Sequence, residues 1–345
     1  MNGFRIVGSV AVAVLFIVAC GGPGGTTGGA GCSKTWKVGM VTDVGKLSDK
    51  SFNATSWQGV QNAVKDKSLC VQANVIESNQ PTDYQKNMQQ FVDGKYDMVL
   101  GVGFLMGDDV LAMAKKNPNT KFAIVDYAYD SPTPNLAGLI FKEQQAGFLI
   151  GALAGYMTKS NTIGAVLGLS LPPVVRYYTG YEAGAKYANK SIKVLHVYQG
   201  PGDGAPFNNP DWGKARALEM IDQGADIIFG GGGNTGNGAL LGVAQKNKTC
   251  IGVDTDQYIS YPDAKSCLIT SAEKKLALAV KTVIADMVHN QWPGNGLLTF
   301  EASNNGIGLS PFHDYDTKIP ADVKKKISDI DAGLKNGTIS VPSGT

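Results

Sequence analysis

Short apolar runs alternate with amphipathic stretches along most of the chain. Runs at 36–41, 71–76, 98–102 and 122–125 have the length and apolar content of buried strands. Between them Trp57, Val60 and Val64, and then Met88, Phe91 and Val92, recur at helical spacing. The rhythm repeats with runs at 162–167, 193–197, 226–229 and 250–253, separated by helical patterns over 181–189, 212–223 and 238–245. Strands alternating with helices predict parallel sheets with helices on both faces. Ile227-Ile228-Phe229 suits a sheet buried on both sides.

Turn chemistry supports this division. Gln223-Gly224-Ala225-Asp226 stops a helix on glycine and enters a strand, and Asn117-Pro118-Asn119 does the same before Phe122. The C-terminal part changes character. Residues 297–309 predict a β-hairpin around Asn304-Asn305-Gly306. Pro320 then opens a helix over 321–335, closed by Gly337. The apolar stretch 146–157 is too short to span a bilayer; with Gly147, Gly151 and Gly155 spaced by four, it predicts a buried helix with a small-residue packing face.

The N-terminus follows another pattern. One basic residue, Arg5, precedes an apolar stretch over 6–18 that ends in Ile17-Val18-Ala19-Cys20. This predicts a signal peptide over 1–19, with Cys20 as a lipidated new N-terminus of the bacterial lipobox kind. Residues 20–33 are then a lipid-bearing, Gly-rich linker reaching about 20 Å on average. It would tether a folded body to a cell membrane, on its outer face or periplasmic side, with no other membrane contact.

Composition narrows the function classes. The chain has 345 residues, 43% hydrophobic and 17% charged, enough for two globular domains. Lys plus Arg is 31 against 29 for Asp plus Glu, which gives no footprint for nucleic acid. Three scattered histidines and five scattered cysteines give no metal-ligand spacing. In an exported chain disulfides are permitted. Cys32, Cys70, Cys250 and Cys267 each sit at or just before a predicted strand, and neighbouring starts pair as Cys32–Cys70 and Cys250–Cys267.

In open α/β sheets ligands sit beyond the carboxyl ends of the strands. Those positions hold Asp43, Gly103-Phe104, Asp126-Tyr127, 200–208, 230–234 and 254–257. Their Asp, Asn, Gly and aromatic content suits a neutral, hydroxyl-bearing, partly aromatic ligand. Gly231-Gly232-Gly233-Asn234-Thr235-Gly236, with Asp254 further on, matches a dinucleotide fingerprint. It lies about 190 residues after the first strand, where a glycine-rich strand end that lets backbone approach a ligand is the better reading. No nucleophile elbow surrounds Ser170 or Ser271. No catalytic constellation is legible in these segments, and nothing in them calls for a cofactor.

One set of segments is specific when taken in order: Val38-Gly39-Met40-Val41-Thr42-Asp43, Asp49-Lys50-Ser51-Phe52-Asn53, Phe122-Ala123-Ile124-Val125-Asp126, Gly180-Tyr181-Glu182-Ala183-Gly184, Gly224-Ala225-Asp226-Ile227-Ile228-Phe229, Gly252-Val253-Asp254-Thr255-Asp256-Gln257 and Thr270-Ser271-Ala272-Glu273-Lys274. Together they resemble the BMP (basic membrane protein) family over most of 36–342. That family includes the purine nucleoside receptor lipoproteins of ABC importers. The resemblance implies the type I periplasmic-binding-protein fold, α/β, with two doubly wound parallel-sheet lobes joined by a three-crossover hinge. The first lobe would hold 34–141 plus 269–297, the second 142–268 plus 298–345.

The resemblance further implies a purine nucleoside, clamped by a monomer and delivered to ABC permease subunits. Phe52 and Phe207 would sandwich the base. Asp43 and Asn53 would read its edge, and Asp126, Asp254 and Lys274 would hold ribose hydroxyls. Gly233 would let backbone approach the sugar. Where the family more often has an Asp soon after the second aromatic, this chain has Asn208-Asn209, which could alter ligand preference or bring Trp212 into the clamp. Three alternatives stay open: a sugar or other small solute on the same fold, an exported nucleoside-cleaving enzyme, and a ligand-free adhesin or sensor.

Overall fold

The computed structural model describes residues 32–294 and 296–344. The signal peptide, Cys20 and the linker up to residue 31 lie outside the described residues. From Trp36 the chain runs β1 (Trp36–Thr42), α1 (Phe52–Lys65), β2 (Val71–Ile76), α2 (Tyr84–Asp93), β3 (Met98–Val102), α3 (Gly107–Lys116), β4 (Lys121–Val125) and β5 (Leu136–Phe141). It continues through α4 (Glu143–Met157), β6 (Thr162–Leu167), α5 (Pro172–Ala188), β7 (Lys193–Tyr198), α6 (Pro210–Asp222), β8 (Ile227–Gly231), α7 (Gly233–Gln245), β9 (Thr249–Asp254), α8 (Gln257–Ser260) and β10 (Leu268–Lys274). The last elements are α9 (Leu276–Val288), β11 (Leu297–Phe300), β12 (Ile307–Leu309) and α10 (Ala321–Lys335).

Among the described residues these strands build two six-stranded sheets, ordered β11-β5-β4-β3-β1-β2 and β12-β10-β9-β8-β6-β7. Strands of the first sheet all pair in parallel. The central ones are apolar throughout: all five residues of β3 and of β8 are buried, because helices cover both faces. Helix ends follow local chemistry. α6 stops on Gly224 at φ 96°, with the Ala225 and Gly224 amides donating to the Met220 and Ile221 carbonyls.

Helix α4 is the buried, small-residue helix foreseen from its sequence. A Cβ at Gly147 or Gly151 would overlap the Tyr177 or Tyr181 carbonyl of α5, and one at Gly180 or Gly184 would overlap the Gln144 or Phe148 carbonyl in return. The two helices thus touch backbone to backbone. No described helix is long and apolar enough to cross a membrane.

Three corrections concern the crossovers. β10 pairs with β9, so 269–274 belong to the second sheet, and the chain crosses back at Lys275 rather than before 269. α9 then packs on α1 of the first lobe, where Gly59 lies against Ala277 and Val280. Residues 298–300 likewise sit in the first sheet, because β11 pairs in parallel with β5. The hairpin expected over 297–309 does not form. Asn305 is left-handed, at φ 57°. Each flanking strand is captured by a different sheet, β12 pairing antiparallel with β10, so the turn serves as the third crossover.

The crossovers are stitched together. The Lys142 amide donates to the Phe300 carbonyl at 2.9 Å, and the Lys275 amide to the Gly306 carbonyl at 2.9 Å. Lys142 also ion-pairs with Glu301. Cys250 and Cys267 are disulfide-bonded, joining the starts of β9 and β10 with a Cα–Cα distance of 5.0 Å. Cys32 and Cys70 are disulfide-bonded residues as well.

Candidate functional site

The carboxyl ends of both sheets open onto one cleft between the lobes, holding about 680 Å³ of space not filled by atoms, openings to solvent included. All eight residues singled out from the sequence line it: Asp43, Phe52, Asn53, Asp126, Phe207, Gly233, Asp254 and Lys274. Asp43 follows β1, Asp126 follows β4, and Asp254 and Lys274 end β9 and β10.

Asp49 organises the first-lobe wall. Its carboxylate accepts the Ser51 and Ala54 amides at 3.0 and 3.1 Å on one oxygen and the Asn53 amide at 2.8 Å on the other. That fixes the entry to α1, so Phe52 and Asn53 are presented to the cleft from a rigid helix start. Asn53 Oδ1 is buried with no hydrogen-bond partner among the described residues. An unpaired buried acceptor is costly and marks a place for a donor from outside. Next to it, Asp43 accepts the Gly45 amide at 2.9 Å. Burial pushes the Asp43 carboxyl up to about 7, against the pull of Gly45 and Asn53.

The deep end of the cleft is an ion cluster. Lys274 Nζ lies 2.6 Å from Asp126 Oδ1 and 2.8 Å from Glu143 Oε1, all three buried. Arg176 Nε pairs with the other Glu143 oxygen at 2.6 Å. Burial alone would lower the Lys274 pKa, but the charges of Asp126, Glu143 and Asp254 outweigh it and hold the ammonium charged. The same ammonium sits 5.3 Å from the Phe52 ring centre and 4.9 Å from that of Phe141. Burial raises the Asp126 carboxyl against the pull of Lys274. It raises Asp254 to about 6, opposed by Lys274 and the Ser51 hydroxyl, which donates to Asp254 at 2.5 Å.

The second-lobe wall is mostly backbone and apolar surface. Gly231, Gly232 and Gly233 line it together with Leu171, Pro173 and Val174. Phe207 is held in a left-handed conformation, φ 55°, its amide donating to Gln199 Oε1 at 3.0 Å. Its ring lies where a Cβ on Gly168 would be. Asp126 and Asp254 also have positive φ, 75° and 66°. Such strained non-glycine residues gather at functional sites. Asn208 and Asn209 do not line the cleft. Asn209 caps α6 by accepting the Trp212 amide at 3.1 Å, and Asn208 accepts from Asn234 at 2.9 Å. Trp212 packs on the second-lobe core instead of joining the cleft.

Sequence reasoning did not single out Asp49, Phe104, Tyr177 or Glu143. Phe104 lay in a segment following a strand but carried no further signal. Tyr177 and Glu143 sit within helices, where an aromatic reads as core and a first-turn carboxylate as a cap.

A family model described as ABC transporter substrate-binding protein PnrA-like matches residues 36–345. The chain is 28% identical over 354 residues to the ABC transporter nucleoside-binding protein BmpA of Lactococcus lactis, covering 98% of each. It is 30% identical over 314 residues to an uncharacterized lipoprotein of Pyrococcus furiosus, covering 87% of this chain and 76% of the relative. A crystal structure of an ABC transporter solute-binding protein from Aeropyrum pernix K1 superposes with a TM-score of 0.80 at 23% identity, covering 89% of this chain and 93% of that one. The fold is that of the type I periplasmic solute-binding proteins.

Proposed function

The chain belongs to the PnrA-like family of ABC transporter substrate-binding proteins, and from that premise we propose that it closes on a purine nucleoside and delivers it to permease subunits. The observation that carries this reading is that Phe52 from one lobe and Phe207 from the other line the same cleft. Aromatic stacking on both faces of a base is worth about 1–3 kcal/mol per contact and accepts any base. Asn53 Oδ1, an acceptor without a partner, and Asp43 read the base edge and impose the choice. Asp126 and Asp254 accept ribose hydroxyls and Lys274 donates to one, charge-assisted bonds that select a diol. The Gly233 backbone lies against the sugar.

In this reading no bond of the ligand is broken; the nucleoside leaves intact. The leader over 1–19 is removed, Cys20 carries the lipid, and a monomer works at the membrane surface. The lipoprotein among its relatives supports that placement. The test is a thermal-shift panel on residues 21–345, which retain Cys32, stripped of carried ligand by partial unfolding, with product chromatography alongside. A ligand at 100 times its dissociation constant stabilises by about 2.7 kcal/mol. Guanosine, inosine or adenosine should raise Tm while ribose, galactose and free bases do not, and inosine should be recovered uncleaved. A response to a sugar alone would overturn the ligand, and release of free base would overturn the transport reading.

A further inference from the structure

We propose that residues 49–51 form a latch that holds the two lobes closed, so that groups outside the ligand cavity set how long a solute stays bound. Resting on the reading that this cleft opens and closes on a solute, the proposal does not depend on which solute it is.

The turn belongs to the first lobe, and the four hydrogen bonds gathered on the Asp49 carboxylate make it rigid. Lys50 is left-handed, φ 56°. From this turn three consecutive residues reach across the cleft. The Asp49 carbonyl accepts from Asn237 Nδ2 at 2.7 Å, on α7. The Lys50 carbonyl accepts from the Ser260 hydroxyl at 2.7 Å, at the end of α8. The Ser51 hydroxyl donates to Asp254 Oδ2 at 2.5 Å. All three partners lie in the second lobe, so every one of these bonds breaks when the lobes part.

The receiving side is prepared for the contact. Gln257 Nε2 donates to Asn237 Oδ1 at 2.8 Å, which turns the Asn237 amide nitrogen toward the turn. Gln257 is itself fixed: its side-chain oxygen accepts the Val253 amide and its backbone amide donates to Ser271. Asn237 and Ser260 do not line the cavity, which separates the latch from ligand contact. Asp254 belongs to both, so closure and solute meet on one carboxylate.

A latch of this kind acts on release. Solute enters the open form, where the bonds are absent, and leaves only after they break. Each bond should slow release by about fivefold. Ser260→Ala, Asn237→Ala and the double variant would be compared with wild type by stopped-flow binding of inosine and by small-angle scattering without ligand. The expected result is release about 5-fold faster for Ser260→Ala and about 25-fold faster for the double variant, with association no slower than in wild type and the ranking of nucleosides unchanged. Ser260→Thr, which keeps the hydroxyl, should restore slow release. Wild-type release from the double variant would overturn the latch. If wild type binds no nucleoside at all, the proposed ligand fails and the latch is judged on scattering alone. A larger ligand-free radius in the double variant then supports it, and an unchanged radius overturns it. Ser260→Ala guards against misfolding, since it removes a single hydroxyl from a half-exposed position.

Discussion

The two lobes repeat one strand order, and position by position the second sheet follows the first. At the end of the fourth strand of each stands an aspartate with positive φ, Asp126 just after β4 in one and Asp254 closing β9 in the other. Both are buried and both are raised by burial. Each is also served from the opposite lobe: Lys274 pairs with Asp126, and Ser51 donates to Asp254. Elsewhere the repeat diverges. The first strand is followed by Asp43 in one lobe and by Gly168 in the other, where Phe207 takes the vacated side-chain space. The third strand leads to Gly103 in the first lobe and to Gly231, Gly232 and Gly233 in the second. A shared frame thus fixes where two carboxylates stand, while divergence gives polar side chains to the first-lobe wall and bare backbone to the second.

The strongest way to break this comparison is at the point where the lobes share a charge. Lys274→Ala leaves Asp126 and Glu143 buried with Arg176 as the one remaining cation of the cluster. Stranding buried charge costs about 3–5 kcal/mol. Nucleoside affinity measured by calorimetry should fall by at least about 100-fold, with a lowered Tm; an affinity within a few-fold of wild type would mean the cluster is not part of the site.

A smaller effect sharpens the contrast between the two aromatics. Phe52→Ala removes a stacking face and the ring beside Lys274, whereas Phe207→Ala removes stacking alone. Both should weaken binding, Phe52→Ala by more, within about 5- to 150-fold. A greater loss for Phe207→Ala would make the second lobe the principal holder of the base.

The smallest effect is on stability against pH. Asp43, Asp126 and Asp254 have folded-state pKa values above the usual 3.8, Asp43 at about 7. Between about pH 4 and pH 7 the folded chain therefore holds protons that the unfolded chain has released, and stability falls as pH rises through that window. Tm without ligand should be a few degrees higher at pH 5 than at pH 7.5. Asp43→Asn should flatten the slope; an unchanged slope would assign it to the other buried carboxyls, Asp49, Asp126 and Asp254.

Legibility from sequence tracked how local the cause was. Of the eight cavity residues, Asp43, Asp126, Phe207, Gly233 and Asp254 fall in the segments at strand ends, where α/β topology puts ligands, while Phe52, Asn53 and Lys274 came only from the family resemblance. Turn chemistry at Gly224 was also local and came out as read. β5 was not recognised, because its apolar residues run almost directly into α4 with only a short polar break. The fate of 297–309 depended on which sheet captures each strand, a tertiary matter that no turn signal carries. Glu143 joins Lys274 only because two crossovers bring residues 143 and 274 together.

The glycine seam between α4 and α5 has a mechanical consequence. With backbone on backbone there is no side chain to compress, so the pair turns as one stiff lever. Its fulcrum is the crossover at Lys142, and α4 extends fifteen residues from it, about 22 Å. A rotation of about 10° at the fulcrum would therefore carry the far end near Met157 through roughly 4 Å. A change too small to see at the hinge becomes a displacement that a reporter dye at that end can register.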